Sequence, residues 1–347
     1  MTKIEDYKNF LIKTVTELLN TPSPSGYGQK IAQLLERYAT EIGAKFSLTN
    51  KGCASLSLLG KDDTKALGLC AHTDTLGLMV RSIGADGSIN FCVIGSPQLA
   101  TLDGEYCTIL TREGKCFNGT ILSKSPSSHV YDDAKTRARD EKNMYIRIDQ
   151  SVKNKEDVKN LGIETGNYVF IDPKTVFTDS GFLKSRFIDD KASVACILTA
   201  FKYIFDNKIS LPSSVNALIT IYEEVGHGAA FVAKNLKSML AVDMGCIGLD
   251  LNCTEHDVSI CAKDSGGPYD YNLTNTLIEA AKRLNLSYAV DIYPFYGSDV
   301  GAMYRAGNDI PGALIGTGVH ASHGMERTHI DGMINTVKLI LAYMGVL

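Results

Sequence analysis

The sequence predicts a three-layer α/β domain interrupted by an inserted β-rich domain, and three observations lead to this fold class. Helical periods alternate with short apolar runs at both ends of the chain, as in sheets covered by helices. Between them, short alternating segments separated by Gly, Asp, Asn and Pro replace the helical periods. The length of 347 residues also exceeds what one small core usually organises. We therefore predict an α/β domain from residues 1–76 and 181–347, with a barrel-like insert at 77–180.

The N-terminal part is predicted to form two helices followed by strands. Apolar residues at helical spacing among charges mark the first helix: Ile4, Tyr7, Phe10, Leu11 and Val15. A second helical period covers residues 29–38 after the turn cluster TPSPSGY. KFSLTN and ASLSLLG alternate like a hairpin, and the apolar run ALGLCAHTD is typical of a strand covered on both faces.

The insert is predicted from six short alternating segments, which are GLMVRSI, GSINFCVI, YCTILT, NGTILS, NMYIRID and NYVFID. Strands this short, joined by turns and without helical periods, indicate a sandwich or barrel. We identify no catalytic residue in this segment, although His129 is a reserve metal ligand if the insert reaches toward a cleft.

The C-terminal part returns to the α/β pattern. We predict helices in KASVACILTAFKYIF, HGAAFVAKNL, TNTLIEAAKRL and the segment through TVKLILAYM, and strands in SVNALITIY, GCIGLDL and ALIGT.

Composition and charge exclude several classes of protein. Hydrophobic residues make up 44% and charged residues 21%, which are globular values, and a net charge of -4 provides no field for binding nucleic acid. No uncharged run approaches the ~18 apolar residues of a membrane span. The N-terminus is an amphipathic helix instead of a signal peptide, and the nine cysteines include no CxxC pair. We therefore expect a cytoplasmic protein with reduced thiols, and no membrane or nucleic-acid partner.

Candidate site residues fall where predicted buried strands end, the edge at which α/β sheets place their sites. The set is His72 and Asp74, Asp189 and Asp190, Glu223 and Glu224, Asp250, and His323. Imidazole and carboxylate are the ligands of catalytic Zn, Co or Mn, so the set indicates a metal hydrolase. We interpret the remaining histidines as surface or hydrogen-bonding residues, and Asp299 either lines the pocket or caps a helix.

Three of these residues, His72, Asp74 and Asp250, are the most informative. His72 and Asp74 are two apart at a strand end, so both lie on one side of it, where the carboxylate can hold one imidazole nitrogen while the other meets metal. Asp250 lies inside the apolar run CIGLDL, where an unpaired carboxylate would be costly to bury. We therefore expect a cation beside Asp250.

The charge count favours two metal ions. If Asp189 bridges, and Asp250 and Glu224 each bind one ion, a hydroxide completes the neutralisation of two divalent cations. Glu223, which is not needed as a ligand, is then free to take a proton from water and pass it to the leaving amine.

The ordered set HTD, FIDDK, EEVG, GLDLN, GSDVGA and SHGMER resembles the glutamyl, or tetrahedral, aminopeptidase family of dinuclear metallopeptidases. The resemblance covers essentially the whole chain. It implies two metal ions, one held by His72 and Asp250 and the other by Glu224 and His323, with Asp189 bridging. It also implies Glu223 as general base and Asp74 as the support of His72.

The same resemblance implies hydrolysis of the N-terminal peptide bond of short peptides and an inserted dimerisation domain. It further implies dimers that assemble into a homo-oligomer of twelve chains.

Three positions depart from the family pattern. Glu326 follows His323 by three residues instead of four, with His320 and His329 close by, so any of the three histidines could be the last ligand. Lys191 stands where Arg is commoner, and His227 where Leu or Arg is commoner.

Other functions stay open from the sequence. They are a deacylase on the same metal centre, a metal-independent glycosidase using the DD and EE pairs, and a non-catalytic assembly or binding protein.

Overall fold

The computed structural model describes residues 2–347, and the chain divides into two compact units. The first is the chain up to Thr75 together with Lys174–Leu347, and the second is Leu76–Pro173. The insert therefore ends earlier than the expected residue 180. The reason is that the strand Val176–Phe177 pairs with Phe182–Ser185 of the α/β unit.

The helices have the following bounds: α1 Lys8–Leu19, α2 Gln29–Glu41, α3 Lys155–Asn160, α4 Ile188–Asp206, α5 Tyr271–Arg283, α6 Asp299–Arg305 and α7 Ile330–Tyr343. Short 3-10 turns cover Ile4–Tyr7, Leu99–Leu102, Glu223–Val225 and Gly228–Ala230. No helix of the described residues is both long and apolar enough to cross a membrane.

The strands have the following bounds: β1 Lys45–Leu48, β2 Ala54–Leu58, β3 Gly60–His72, β4 Gly77–Ile83, β5 Ile89–Ile94, β6 Tyr106–Leu110, β7 Cys116–Ser123, β8 Met144–Ile148, β9 Tyr168–Ile171, β10 Val176–Phe177, β11 Phe182–Ser185, β12 Leu211–Thr220, β13 Leu236–Val242, β14 Gly245–Cys246, β15 Val258–Asp264, β16 Gly267–Pro268, β17 Tyr288–Ile292, β18 Gly312–Val319 and β19 Glu326–His329.

A mixed sheet forms the centre of the first unit. Its order is β1-β2-β12-β3-β13-β18-β15-β16, with β14 beside β18 and β17 beside β15. The neighbours β12, β3, β13 and β18 run parallel, so their carboxyl ends meet at one edge. Buried α4 packs against β3 and α7, which keeps this part of the sheet away from water. The predicted α/β class is confirmed.

The second unit is a closed barrel in the order β4-β5-β8-β7-β6-β9, with β9 returning to β4. All six predicted segments form its strands. Alternation puts apolar side chains inside, among them Leu78, Val80, Phe91, Ile109, Ile121 and Ile146, each at most 1% exposed. The barrel-like interpretation of the insert is confirmed.

Two predicted elements are wrong. HGAAFVAKNL does not form a helix, because it begins with a 3-10 turn and continues at Phe231 with extended backbone. GCIGLDL contributes only the two-residue strand β14 before turning. The buried strand here is β13, in the preceding segment LKSMLAV, and this shift moves the residue that follows the strand from Asp250 to Asp243.

Candidate metal centre

Acidic and imidazole side chains meet at the carboxyl edge of the parallel strands. His72 is the last residue of β3, and Asp243 directly follows β13. Glu223 and Glu224 begin the 3-10 turn three residues after β12. Since these strands are neighbours in the sheet, their ends bring the four side chains to one place.

Asp189 lies between two histidines. Its Oδ1 is 3.2 Å from His72 Nε2, and its Oδ2 is 3.7 Å from His323 Nε2. The same His323 nitrogen lies 3.6 Å from Glu224 Oε2. One carboxylate therefore presents an oxygen to each of two groups of ligand atoms. Asp189 stands at the start of α4, where the backbone leaves helical geometry and the Asp189–Asp190 peptide bond is cis.

The ring of His72 is oriented by backbone. Its Nδ1 is 2.9 Å from the carbonyl oxygen of Asp74, which leaves Nε2 directed at Asp189. The carboxylate of Asp74 is farther away, at 3.6 Å from Nδ1. It instead accepts hydrogen bonds from the backbone N–H groups of Glu223 and Glu224 and from the Ser25 hydroxyl. Asp74 therefore supports both His72 and the Glu223–Glu224 turn.

Both glutamates reach the cluster because the chain turns beneath them. Gly226 ends the turn at φ 84° with its N–H donated to the Glu223 carbonyl at 2.7 Å. Glycine adopts this conformation without the strain that a side chain brings. The Glu223 side chain places Oε2 3.8 Å from His72 Nε2, and it is 16% exposed, against 6% for Glu224.

Three further buried acids, Glu326, Asp190 and Asp299, accept backbone hydrogen bonds around the cluster. Glu326 accepts the backbone N–H of Asp189 through Oε2 and that of His323 through Oε1, each at 3.0 Å. Asp190 accepts the backbone N–H of His72 at 3.2 Å. Asp299 accepts from Thr220 Oγ1 and from the Ala229 N–H, so it joins β12 to the following turns instead of capping α6.

Asp250 does not lie in this cluster. The expectation that it is buried is wrong, because it is exposed on a turn with φ 61°, beside Leu249, which is 92% exposed. Asp243 is 5% exposed and approaches His72 and Asp190 closely enough for all three to contact one ion. The sequence alone could have indicated Asp243, because it is the first acid after the apolar run MLAV.

The remaining histidines occupy other places. His320 is exposed and pairs with Arg327 through the backbone, whereas His329 contacts His256 and Asp331. His227 stacks on Tyr222. His129 is exposed in the insert and belongs to none of the potential metal-binding groups among residues 2–347.

The electrostatics of the cluster favour a bound cation. Burial, assisted by Asp189, raises the pKa of Asp243 to about 7, and burial raises the pKa values of Glu223 and Glu224 well above their usual range. Burial opposes ionisation of His72, but the hydrogen bond that its ring donates to Asp189 and the negative charges around it raise the pKa of His72 well above its ordinary value. These acids can all be ionised at the same time only if positive charge lies between them.

The ligand atoms fit divalent transition metals. Atoms of His72, Asp189 and Glu224 lie within 4.8 Å of one another, as do atoms of His72, Asp190 and Asp243. Imidazole and carboxylate are the donors that Zn²⁺, Co²⁺ and Mn²⁺ accept, and no thiolate takes part in these groups.

The family comparison agrees with this chemistry. The model of the M42 glutamyl aminopeptidase family matches residues 52–339. The chain belongs to the M42 glutamyl aminopeptidase family. It is thus a hydrolase of the aminopeptidase type from a metallopeptidase family, as the sequence motifs predict.

Several relatives of this M42 peptidase match along nearly their whole length. YhfE of Bacillus subtilis (strain 168), described as a candidate aminopeptidase, is 41% identical over 96% of each chain. The glutamyl aminopeptidase of Lactococcus lactis subsp. cremoris (strain MG1363) is 22% identical over 95% of this chain and 94% of its own. The aminopeptidase APDkam598 of Desulfurococcus kamchatkensis has the same fold, with a TM-score of 0.88, 20% identity and coverage of 97% and 95%. The dodecameric PhTET1-12s gives a TM-score of 0.83 at 20% identity, with 99% of each chain covered.

Proposed function

We propose that this chain is a dinuclear metal-dependent aminopeptidase that removes N-terminal residues from short peptides. The observation that carries the proposal is the position of Asp189, whose two oxygens face His72 and His323 separately. A carboxylate in that position can bridge two ions. The proposed metals are Zn or Co, with Mn also acceptable to these ligands.

The ligand set changes from the sequence-based expectation at one residue. His72, Asp189 and Asp243 would hold one ion, and Asp189, Glu224 and His323 the other. Asp190 would support His72, because its Oδ2 accepts the backbone N–H of that residue. Asp243 takes the place expected for Asp250, so three carboxylates still offset most of the charge of two divalent ions. When bound, such a pair polarises a carbonyl and lowers the pKa of water.

Glu223 is the proposed general base. Its carboxylate lies at the edge of the cluster, nearer to solvent than Glu224, and the raised pKa of Glu223 allows it to take a proton and release it again. In the proposed reaction Glu223 removes the proton from the attacking water and delivers it to the departing amine. Asp74 holds the backbone of Glu223 in place throughout.

The experiment compares Glu223→Gln with Glu224→Gln. Glu223→Gln should retain wild-type metal content and lose about 10²–10⁴ in turnover, the usual contribution of a positioned proton carrier. Glu224→Gln should lose one ion per chain. Metal loss confined to the Glu223 variant would reverse the two roles, and near-normal turnover in both variants would exclude the mechanism.

The substrate is tested with matched peptides. A panel of unblocked aminoacyl substrates and their N-acetylated forms, assayed on one sample of known metal content, distinguishes an aminopeptidase from a deacylase. Cleavage of the unblocked forms alone supports the proposal. Preference for the acetylated forms would contradict it, as would full activity in a verified metal-free sample.

We further propose a homo-oligomer of dimers, with twelve chains in the complete assembly. The support is the likeness to PhTET1-12s, described as a dodecamer, and a β insert that supplies no residue of the cluster. Light scattering should give the mass of twelve 37.6 kDa chains. An active monomer at micromolar concentration would contradict this proposal.

A further inference from the structure

A second group of metal-ligand side chains lies beside the start of α7. His256 precedes β15, His329 ends β19, and Asp331 is in the first turn of α7. Asp331 Oδ2 is 3.4 Å from His256 Nδ1 and 3.3 Å from His329 Nδ1. One oxygen is thus shared between two imidazoles. None of these three residues takes part in the peptide hydrolysis proposed above.

The ring of His329 is held with Nδ1 toward this shared oxygen. Its Nε2 is 2.9 Å from the carbonyl of Ser180, so the proton belongs on Nε2 and the lone pair on Nδ1. That lone pair accepts the Asp331 N–H at 3.2 Å and so caps α7, and a bound ion would take the place of this hydrogen bond. A side chain at Gly181 would lie 2.5 Å from Nε2, so the glycine allows this close approach. A histidine fixed by a backbone carbonyl is the usual arrangement of a metal ligand.

The second imidazole is positioned by aromatic contacts. The centroids of the His256 and His329 rings are 4.0 Å apart, and Phe182 meets both rings edge-on at 5.8 and 4.8 Å. The His256 side chain is 47% exposed and that of Asp331 51%, so an ion from solvent can enter.

The nearby charges leave the shared oxygen available. Lys8 Nζ faces the other oxygen of Asp331, at 3.8 Å. Arg327 lies over the Phe182 ring and donates to Glu255.

We propose that His256, His329 and Asp331 form an additional site for a divalent ion such as Zn²⁺, Ni²⁺ or Cu²⁺. Two imidazoles and one carboxylate select these ions over Mg²⁺ and Ca²⁺, and water completes the coordination. His329 and Asp331 lie at the junction of β19 and α7, and His256 precedes β15, so the bound ion fastens that junction to the chain entering β15. The role that follows is structural.

The test counts ions on the full-length protein. Wild type, His256→Ala and Asp331→Asn are dialysed against excess Zn²⁺ and their metal content is measured, with His129→Ala as a control for an exposed histidine elsewhere. Each site variant should hold one ion per chain fewer than wild type, while the control matches wild type. This difference does not depend on how many ions the catalytic cluster holds.

A second readout is thermal. Added Zn²⁺ should raise the unfolding midpoint of the wild type and the His129 variant by more than that of His256→Ala, because an ion that binds only the folded state stabilises it. Equal metal content and equal thermal response in wild type and both site variants would overturn the proposal. A loss in His129→Ala equal to that in His256→Ala would also overturn it.

Discussion

At the scale of single residues, Asp243 and Asp250 provide a matched pair. Both are aspartates in the same loop region, but only Asp243 is buried beside His72. Asp243→Asn should lose metal, and its turnover should fall by at least on the order of 10². Mutating a residue that only supports a metal ligand already costs 10–100-fold in metal affinity or activity. Asp250→Asn should behave as wild type. Metal titration and turnover check this, and the reverse order of effects would restore the sequence-based assignment.

Glu326 positions two proposed ligands through their backbone N–H groups. In Glu326→Gln one of the two accepting oxygens becomes an amide donor, so Asp189 or His323 loses its hydrogen bond. We expect metal affinity to fall by about 10–100-fold. Glu255→Gln, which alters a neighbouring glutamate paired with Arg327, is the control. Unchanged affinity in the Glu326 variant would show that the side chain is only a packing element.

Most single residues of the site could be predicted from the sequence because they follow apolar runs. His72, Asp189, Glu223, Glu224 and His323 meet in the structure as the motifs indicated. The apolar segment CIGLDL favours Asp250, but Gly248 in that segment allows a turn, and β13 already occupies the preceding MLAV. The role of Glu326 depends on long-range contacts with Asp189, which no local pattern reveals.

At the scale of elements, the turn Glu223–Val225 depends on the left-handed conformation of Gly226. A Cβ at this position meets no atom within 4 Å, so the cost of Gly226→Ala is backbone strain alone. We expect about 1–2 kcal/mol of destabilisation, less in Gly226→Asn, together with reduced turnover. Denaturant unfolding and kinetics on both variants check this. If Gly226→Ala were as stable and as active as the wild type, the turn would not depend on the left-handed conformation of Gly226.

Most elements with a strong period were predicted well, with one exception. The six barrel strands and helices α1, α2, α4, α5 and α7 follow clear alternation or helical spacing. HGAAFVAKNL has apolar residues at helical spacing as well, but Phe231 is extended and 63% exposed. The Asp299 carboxylate holds the preceding turn by accepting the Ala229 N–H, a tertiary contact that overrides local propensity.

At the scale of the whole molecule, metal removal should change how stability depends on pH. Burial raises the folded-state pKa of Asp243 to about 7, from an ordinary value near 4. The metal-free folded state therefore binds more protons than the unfolded state across this window, and stability falls as pH rises through it. Thermal unfolding of chelated protein should show a lower midpoint at pH 8 than at pH 5.

With metal added, the unfolding midpoint should instead be higher at pH 8 than at pH 5, because the ligands must be deprotonated to bind. The metal-loaded protein is the matched control at each pH. A metal-free protein that is as stable at pH 8 as at pH 5 would contradict the account of a cluster that needs positive charge.

The most direct test of the central claim is the anomalous scattering of crystals grown with Zn²⁺, measured above and below the zinc absorption edge. The account predicts two peaks in the cluster, one contacted by His72, Asp189 and Asp243 and the other by Asp189, Glu224 and His323. A single peak, a peak at Asp250, or an Asp189 carboxylate that contacts only one ion would contradict it.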